Sequence, residues 1–292
     1  AATNHNTRHP LVTASYATTM HRLTEGRFCL GIGRGIGPLF AAYGMSKITT
    51  AQMEDFANVM KRLFKGEVIF GHDGPIGKYP ILALDPTFDE NIPLGITAFG
   101  QNTLELAGRA FDCVILHTFF SDETTQRCVK TVKDSAERAG RDPDKVRVWS
   151  CFATIGDHIP EDIRLKKTVG RLATYLQGYG DLMVTTNNWD PAVLQRFRDD
   201  EFIKTFRGAL DGIATTEQLE HVATLIPSEW LESAASGSPA ECVASIRHQF
   251  VLGCDGVIMH GASPDDLAPI VREYRATRPV GVFDHLAANP GG

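Results

Sequence analysis

Four glycines at every second position, Gly31, Gly33, Gly35 and Gly37, enclose one guanidinium, Arg34, in a pattern suited to holding an anion. A glycine-rich turn leaves backbone N–H groups unobstructed, and Arg34 adds a forked cation among them. The alternative is that Arg34 pairs with a surface acid. The spacing is not the dinucleotide fingerprint, because the third glycine of that motif would fall on Ile36. A second anion-ready feature is Ala98-Phe99-Gly100, where an apolar run passes straight into the helical period Thr103, Leu104, Leu106, Ala107. The N–H groups of Gly100 to Asn102 would then open a helix, and a helix start attracts phosphate; the alternative is an ordinary glycine turn. His117 and His260 each end an apolar run, and neither has a second ligand at metal spacing. No metal site is expected, and a hydrogen-bonded structural role fits each histidine. The chain has no nucleophile elbow, no His-Glu-x-x-His and no Walker loop. Nor does a lysine end a candidate strand to form a Schiff base, which argues against a lyase or aldolase.

These groups need strands to carry them, since a barrel collects its chemistry at the C-terminal ends of its strands. Strands are expected near Phe28–Gly33, Ile92–Thr97, Asp112–His117, Val146–Ile155 and Asp255–His260. Capped helices lie between them. Thr49-Thr50-Ala51-Gln52 is a capping box for a helix with apolar positions Met53, Phe56, Met60 and Leu63, closed by Gly66. Ser238-Pro239-Ala240-Glu241 opens another that stops at Gly253, and Ser263-Pro264-Asp265-Asp266 a third. This alternation calls for a parallel sheet covered by helices, either doubly wound or a barrel. The echo between the Asp112–His117 and Asp255–His260 runs, each following a helix taken to end in glycine (Gly108, Gly253), favours the barrel. Residues 67–91 break the rhythm as a hairpin or loop excursion. Residues 156–237 form a helical insertion with no clear strand, acting as a lid or a subunit contact, and a homodimer is expected. In that insertion Tyr175, Tyr179, Trp189 and Trp230 suit either an apolar cavity or ordinary packing.

With 292 residues, 43% of them hydrophobic, the chain can bury one large core, so a single domain over 1–292 is expected. A net charge of −6 with no basic block makes nucleic acid an unsuitable partner. Six cysteines without a CxxC read as buried free thiols of a reducing compartment, the cytoplasm. There is no signal-like opening and no apolar run of about 18 residues, so neither export nor a membrane is expected.

The opening Thr3-Asn4-His5-Asn6-Thr7-Arg8-His9-Pro10, then Gly26-Arg27-Phe28-Cys29-Leu30-Gly31-Ile32-Gly33-Arg34-Gly35, resembles the luciferase-like monooxygenase superfamily. The block from Ala98-Phe99-Gly100 to Phe111-Asp112 is similar to that family's fifth strand and helix. The best match within it is to actinobacterial F420-dependent oxidoreductases. The resemblance implies a TIM-type (β/α)8 barrel and an oxidoreductase moving hydride between the deazaflavin coenzyme F420 and a small organic substrate. FMN, in a luciferase-like monooxygenase, is the alternative cofactor, and a non-catalytic flavin-binding protein is a further one. By the same likeness the cofactor's phosphate-bearing tail lies near Arg34, Gly35, Gly100 and Thr103, and its ring near Thr3, Asn4 and Ala98, with Phe99 and His117 completing the set. Family members often carry a cis peptide where Ala1-Ala2 falls. The resemblance also implies that the chain starts at the third strand, without the first two βα units, on the order of 60 residues at about 30 each. Related enzymes place histidine or acidic groups for proton transfer in those units, so no catalytic acid or base is assigned. Ile36 stands where some deazaflavin enzymes carry an acid.

Overall fold

The helix starts are set by side chains that satisfy otherwise orphaned backbone donors. Thr49 accepts from the Gln52 N–H while the Gln52 side chain accepts from the Thr49 N–H, and Ser238/Glu241 and Ser263/Asp266 repeat the arrangement, each with proline just inside the helix. The expected boxes therefore form, and the helix Thr50–Phe64 buries Met53, Phe56, Met60 and Leu63, the four positions read from its period.

The computed structural model describes residues 2–35, 37–282 and 284. Two compact units divide the chain, one built on Ala1–Ile115 and Lys130–Val148, the other on Leu116–Val129 and Trp149–Phe283. In the first, strands β1 (Ala2–Thr3) and β2 (Leu30–Ile32) pair in parallel, Ala2 opposite Gly31. Strands β3 (Ile69–Gly74) and β4 (Gly77–Leu82) form an antiparallel hairpin, the form expected of the 67–91 excursion. Strand β5 (Leu94–Thr97) pairs in parallel with β2, and β6 (Cys113–Ile115) in parallel with β5. Leu94, Gly95 and Ile96 of β5 are all buried, as a strand covered on both faces requires.

Strand β7 (Arg147–Gly156) carries the second unit's sheet, pairing in parallel with β8 (Ala235–Gly237) and β9 (Gly256–His260). Phe152, Ala235, Cys242, Val243, Ile246 and Ile270 form a core there. Two readings of the sequence need correction. The 156–237 segment does contain a strand, β8, whose Ala-Ser-Gly sequence has neither apolar alternation nor branched side chains to announce it. And Gly108 does not end its helix, which runs Gln101–Ala110. A Cβ on Gly108 would lie 2.2 Å from the Val132 carbonyl oxygen and 2.7 Å from the Ser135 Cβ, so glycine is there to let two helices touch. Trp189 and Trp230 stack at 4.2 Å with an 8° interplanar angle; Trp230 is buried in the packing, while Trp189 also lines a cavity with Asn187, Glu229 and His248. The Ala1-Ala2 bond, Ile36 and part of the tail after Arg278 lie outside the described residues.

Candidate functional site

Arg34 follows β2 directly and folds back over its own unit. Its Nη1 donates to the Ile48 carbonyl at 3.0 Å, and its Nη2 to the hydroxyls of Thr50 at 2.6 Å and Thr103 at 3.2 Å. Its Nε is buried with no partner. Among the described residues no carboxylate pairs with this guanidinium, so the surface-acid alternative does not form. Burial lowers its pKa from the ordinary arginine value, the expected direction for a cation taken from water without a counterion.

Thr103 sits in the first turn of the helix Gln101–Ala110, whose start at Gly100 has no side-chain cap and no acidic residue in its first turn. An uncapped start leaves N–H donors and the positive end of the helix dipole without a partner. Arg34 and Gly100–Thr103, read separately from the sequence, are thus brought together. Gly35 adopts φ +72°, a left-handed backbone conformation for which the turn needs glycine.

Thr3 ends β1; its carbonyl accepts from the Gly33 N–H at 2.8 Å and its hydroxyl from Arg8 at 3.0 Å, which fastens the first turn to the glycine turn. The neighbouring Asn4 has its Oδ1 buried without a partner. Ala98 is buried and donates its N–H to the Ile115 carbonyl, and Phe99 beside it is half-buried. Thr50 and the Ile48 carbonyl were not singled out in the sequence. Thr50 looked like part of a capping box, and nothing local announces a contact to a residue 16 positions away.

His117 belongs to the second unit. Its Nδ1 lies 3.0 Å from the Thr118 carbonyl oxygen, which can only accept, so Nδ1 carries the proton. Its Nε2, 2.9 Å from the Tyr179 hydroxyl, is therefore the acceptor. Burial pushes the His117 pKa down to about 4, so the ring is neutral at neutral pH. Tyr179 is set by a break in the helix Arg171–Asn187, where its own φ of −156° and ψ of 40° are not helical. Tyr175 stacks on it at 5.5 Å and meets His117 edge-on at 4.7 Å. Both ring nitrogens of His117 are thus hydrogen-bonded. His260 differs, its Nδ1 being buried without a partner. Among the described residues no group of three or more His, Cys, Asp or Glu side chains could hold a metal ion, and no helix is long and apolar enough to cross a membrane.

Comparison with known proteins adds a family to this geometry. The model of the luciferase-like monooxygenase family matches residues 1–256. The chain belongs to that family. A curated relative, 5,10-methylenetetrahydromethanopterin reductase from Methanolobus tindarius, is 26% identical over 262 residues, covering 88% of this chain and 74% of its own length. Among solved structures, the coenzyme F420-dependent tetrahydromethanopterin reductase from Methanopyrus kandleri superposes with a TM-score of 0.71 at 21% identity, over 92% of this chain and 78% of that one. A long-chain alkane monooxygenase superposes with a TM-score of 0.63 at 16% identity, over 94% and 68%. The fold of this luciferase-like chain is accordingly the α/β TIM-type barrel, and the protein is an oxidoreductase of the family.

Proposed function

We propose that the protein moves hydride between the deazaflavin coenzyme F420 and a small organic substrate. The observation that carries this reading is the 3.2 Å contact between Arg34 and Thr103, which sets a guanidinium without a carboxylate partner against an uncapped helix start. Each favours an anion, and together they suit a phosphate. The F420 dependence of the Methanopyrus kandleri reductase supports the choice of cofactor.

The residues fit such a group on grounds internal to the chain, because Arg34 Nε and Asn4 Oδ1 are both buried polar atoms left without a partner. On this reading Arg34, Gly35, Gly100 and Thr103 hold the phosphate-bearing tail, while Thr3, Asn4, Ala98 and Phe99 line the ring. Once bound, the cofactor supplies the hydride chemistry. The chain binds and orients it, and the bare backbone at Gly35 admits a close approach. His117 is a positioning residue here, fixing the Tyr179 hydroxyl within its own unit.

A second reading is an FMN-dependent monooxygenase on the same fold, favoured by the likeness to the alkane monooxygenase. Purified protein incubated with F420 or with FMN, then desalted, separates the two by the absorbance retained. Retention of F420, with hydride transfer from its reduced form to a carbonyl acceptor, is the expected result. Retention of FMN alone replaces the proposal with the second reading, and tight retention of either without turnover points to a binding protein instead.

A further inference from the structure

A cavity of about 680 Å³ opens in the second unit, where the chain that follows β6 meets the helix Pro239–Val251 and the segment 229–233. None of the residues assigned above to the cofactor lines it. One wall comes from the end of the helix Arg171–Asn187, where Asn188 adopts φ 53° and turns the chain so that the Trp189 N–H donates back to the Val184 carbonyl at 3.0 Å. Asn187 holds that wall in place. Its Oδ1 accepts from the Ser121 N–H at 3.0 Å, and its Nδ2 donates to the Phe119 carbonyl at 3.1 Å. The Trp189 ring, stacked on the buried Trp230, lines the cavity beside it.

The charge on this cavity is one-sided. Asp122, Glu123, Glu229 and Glu232 line it, and no lysine or arginine does. Asp122 bonds His248 Nε2 at 2.6 Å, whereas the other three carboxylates have no hydrogen-bond or ion-pair partner among the described residues. Acids alone would form a solvated face. Gln249 distinguishes this one: it lines the cavity while only 4% exposed, its Oε1 accepts from the Ser150 hydroxyl at 2.8 Å, and its Nε2 has no partner among the described residues. A buried amide donor left unpaired is unfavourable. Satisfying it takes an acceptor oxygen, which a bare metal ion lacks, while the carboxylates call for positive charge and an indole ring attracts an organic cation.

We propose that this cavity binds a small organic ammonium that also carries a hydroxyl. The ammonium is held by Glu123, Glu229 and Glu232 against the Trp189 ring, and the hydroxyl oxygen accepts from Gln249 Nε2. The inference does not depend on which cofactor the protein uses.

Primary and quaternary ammonium compounds share this chemistry, so glucosamine and choline are the two probes, with glucose as the uncharged control and sodium chloride as the ionic one. Binding is read from the indole N–H NMR signal of Trp189, assigned by its loss in Trp189→Phe. The expected result is that at least one of the two ammonium compounds moves this signal saturably, while glucose and sodium chloride at the same concentration leave it in place. The hydroxyl-free counterpart, cyclohexylammonium for glucosamine or tetramethylammonium for choline, should bind about tenfold more weakly. Glu229→Gln with Glu232→Gln should weaken binding about tenfold or more at an unchanged melting temperature, the loss of charge-assisted contacts. Glu220→Gln, at an exposed acid of the helix Thr216–Ala223 outside the cavity, should change nothing. The site is refuted if neither ammonium compound moves the signal, if glucose or sodium chloride moves it equally, or if the hydroxyl-free counterpart binds as tightly. Wild-type affinity in the double variant, or an equal loss in Glu220→Gln, refutes it too.

Discussion

Arg34 makes three hydrogen bonds through its two terminal nitrogens, all to neutral acceptors, and keeps its Nε unused. Truncation to alanine removes the cation but leaves Thr50 and Thr103 hydroxyls free to rotate toward water, so folding should suffer less than binding. Arg34→Ala should lose roughly 1.5–3 kcal/mol of cofactor affinity, about 10–150-fold. Arg34→Lys should recover part of it, since an ammonium lacks the planar fork. Cofactor titration alongside melting curves separates the two effects, and wild-type affinity in the alanine form would remove Arg34 from the site. Tyr179 allows a comparable test in the second unit. Its hydroxyl is the donor to His117 Nε2, so Tyr179→Phe removes this hydrogen bond to a buried ring at a cost of about 1–3 kcal/mol. Tyr43→Phe, at an exposed ring, should cost almost nothing. Equal denaturation midpoints for the two variants would show that the Tyr179 hydroxyl contributes nothing to the fold.

At the scale of elements the sharpest test is Gly108. In an exposed helix alanine is favoured over glycine by about 1 kcal/mol. Here the new methyl would meet the Val132 carbonyl at 2.2 Å, a fixed backbone atom, so overpacking should win and Gly108→Ala should destabilise by about 1–3 kcal/mol. A rise in melting temperature would mean that the two helices separate freely. The same residue shows what a sequence can and cannot disclose. Capping boxes at Thr49, Ser238 and Ser263 were legible because their partners lie three residues away. The strands around Leu94 and Cys113 were legible because a buried strand must be apolar on both faces. A glycine that ends a helix and one that admits a neighbouring helix look alike until the neighbour, more than twenty residues on, is in place. Strand β8 carries no signal of its own, since its residues are small and its pairing with β7 spans a long separation. The candidate site divides the same way. Arg34 and Gly100 were each visible from local pattern, whereas Thr50 as a partner of Arg34 and Tyr179 as a partner of His117 depend on contacts over 16 and 62 positions.

The family match runs through both units, from residue 1 to 256, so the stability of the whole molecule is the setting for any change of pH. His117 has its pKa lowered from 6.5 to about 4 by burial. A depressed histidine is neutral in the folded state across a range where the unfolded chain already takes up a proton. Between pH 6.5 and about 4 the unfolded state therefore binds more protons, and stability falls as pH falls. Over that interval the loss amounts to about 3 kcal/mol at most. His5 and His260, both lowered chiefly by burial, act in the same direction. Carboxylates behave differently in position but not in sign. Glu54, held below its ordinary 4.5 by the Arg109 hydrogen bonds, loses its contribution only at still lower pH. The histidine loss and the carboxylate loss should thus appear as two successive slopes on acidification. In His117→Gln, whose amide can still donate to the Thr118 carbonyl and accept from Tyr179, the slope between pH 6.5 and 4 should flatten while the lower one persists. Denaturant unfolding at half-unit steps from about pH 7.5 down to about pH 3 measures both. An unchanged upper slope in the variant would show that His117 ionises as freely in the folded protein as in the unfolded chain, and that its burial does not hold it neutral.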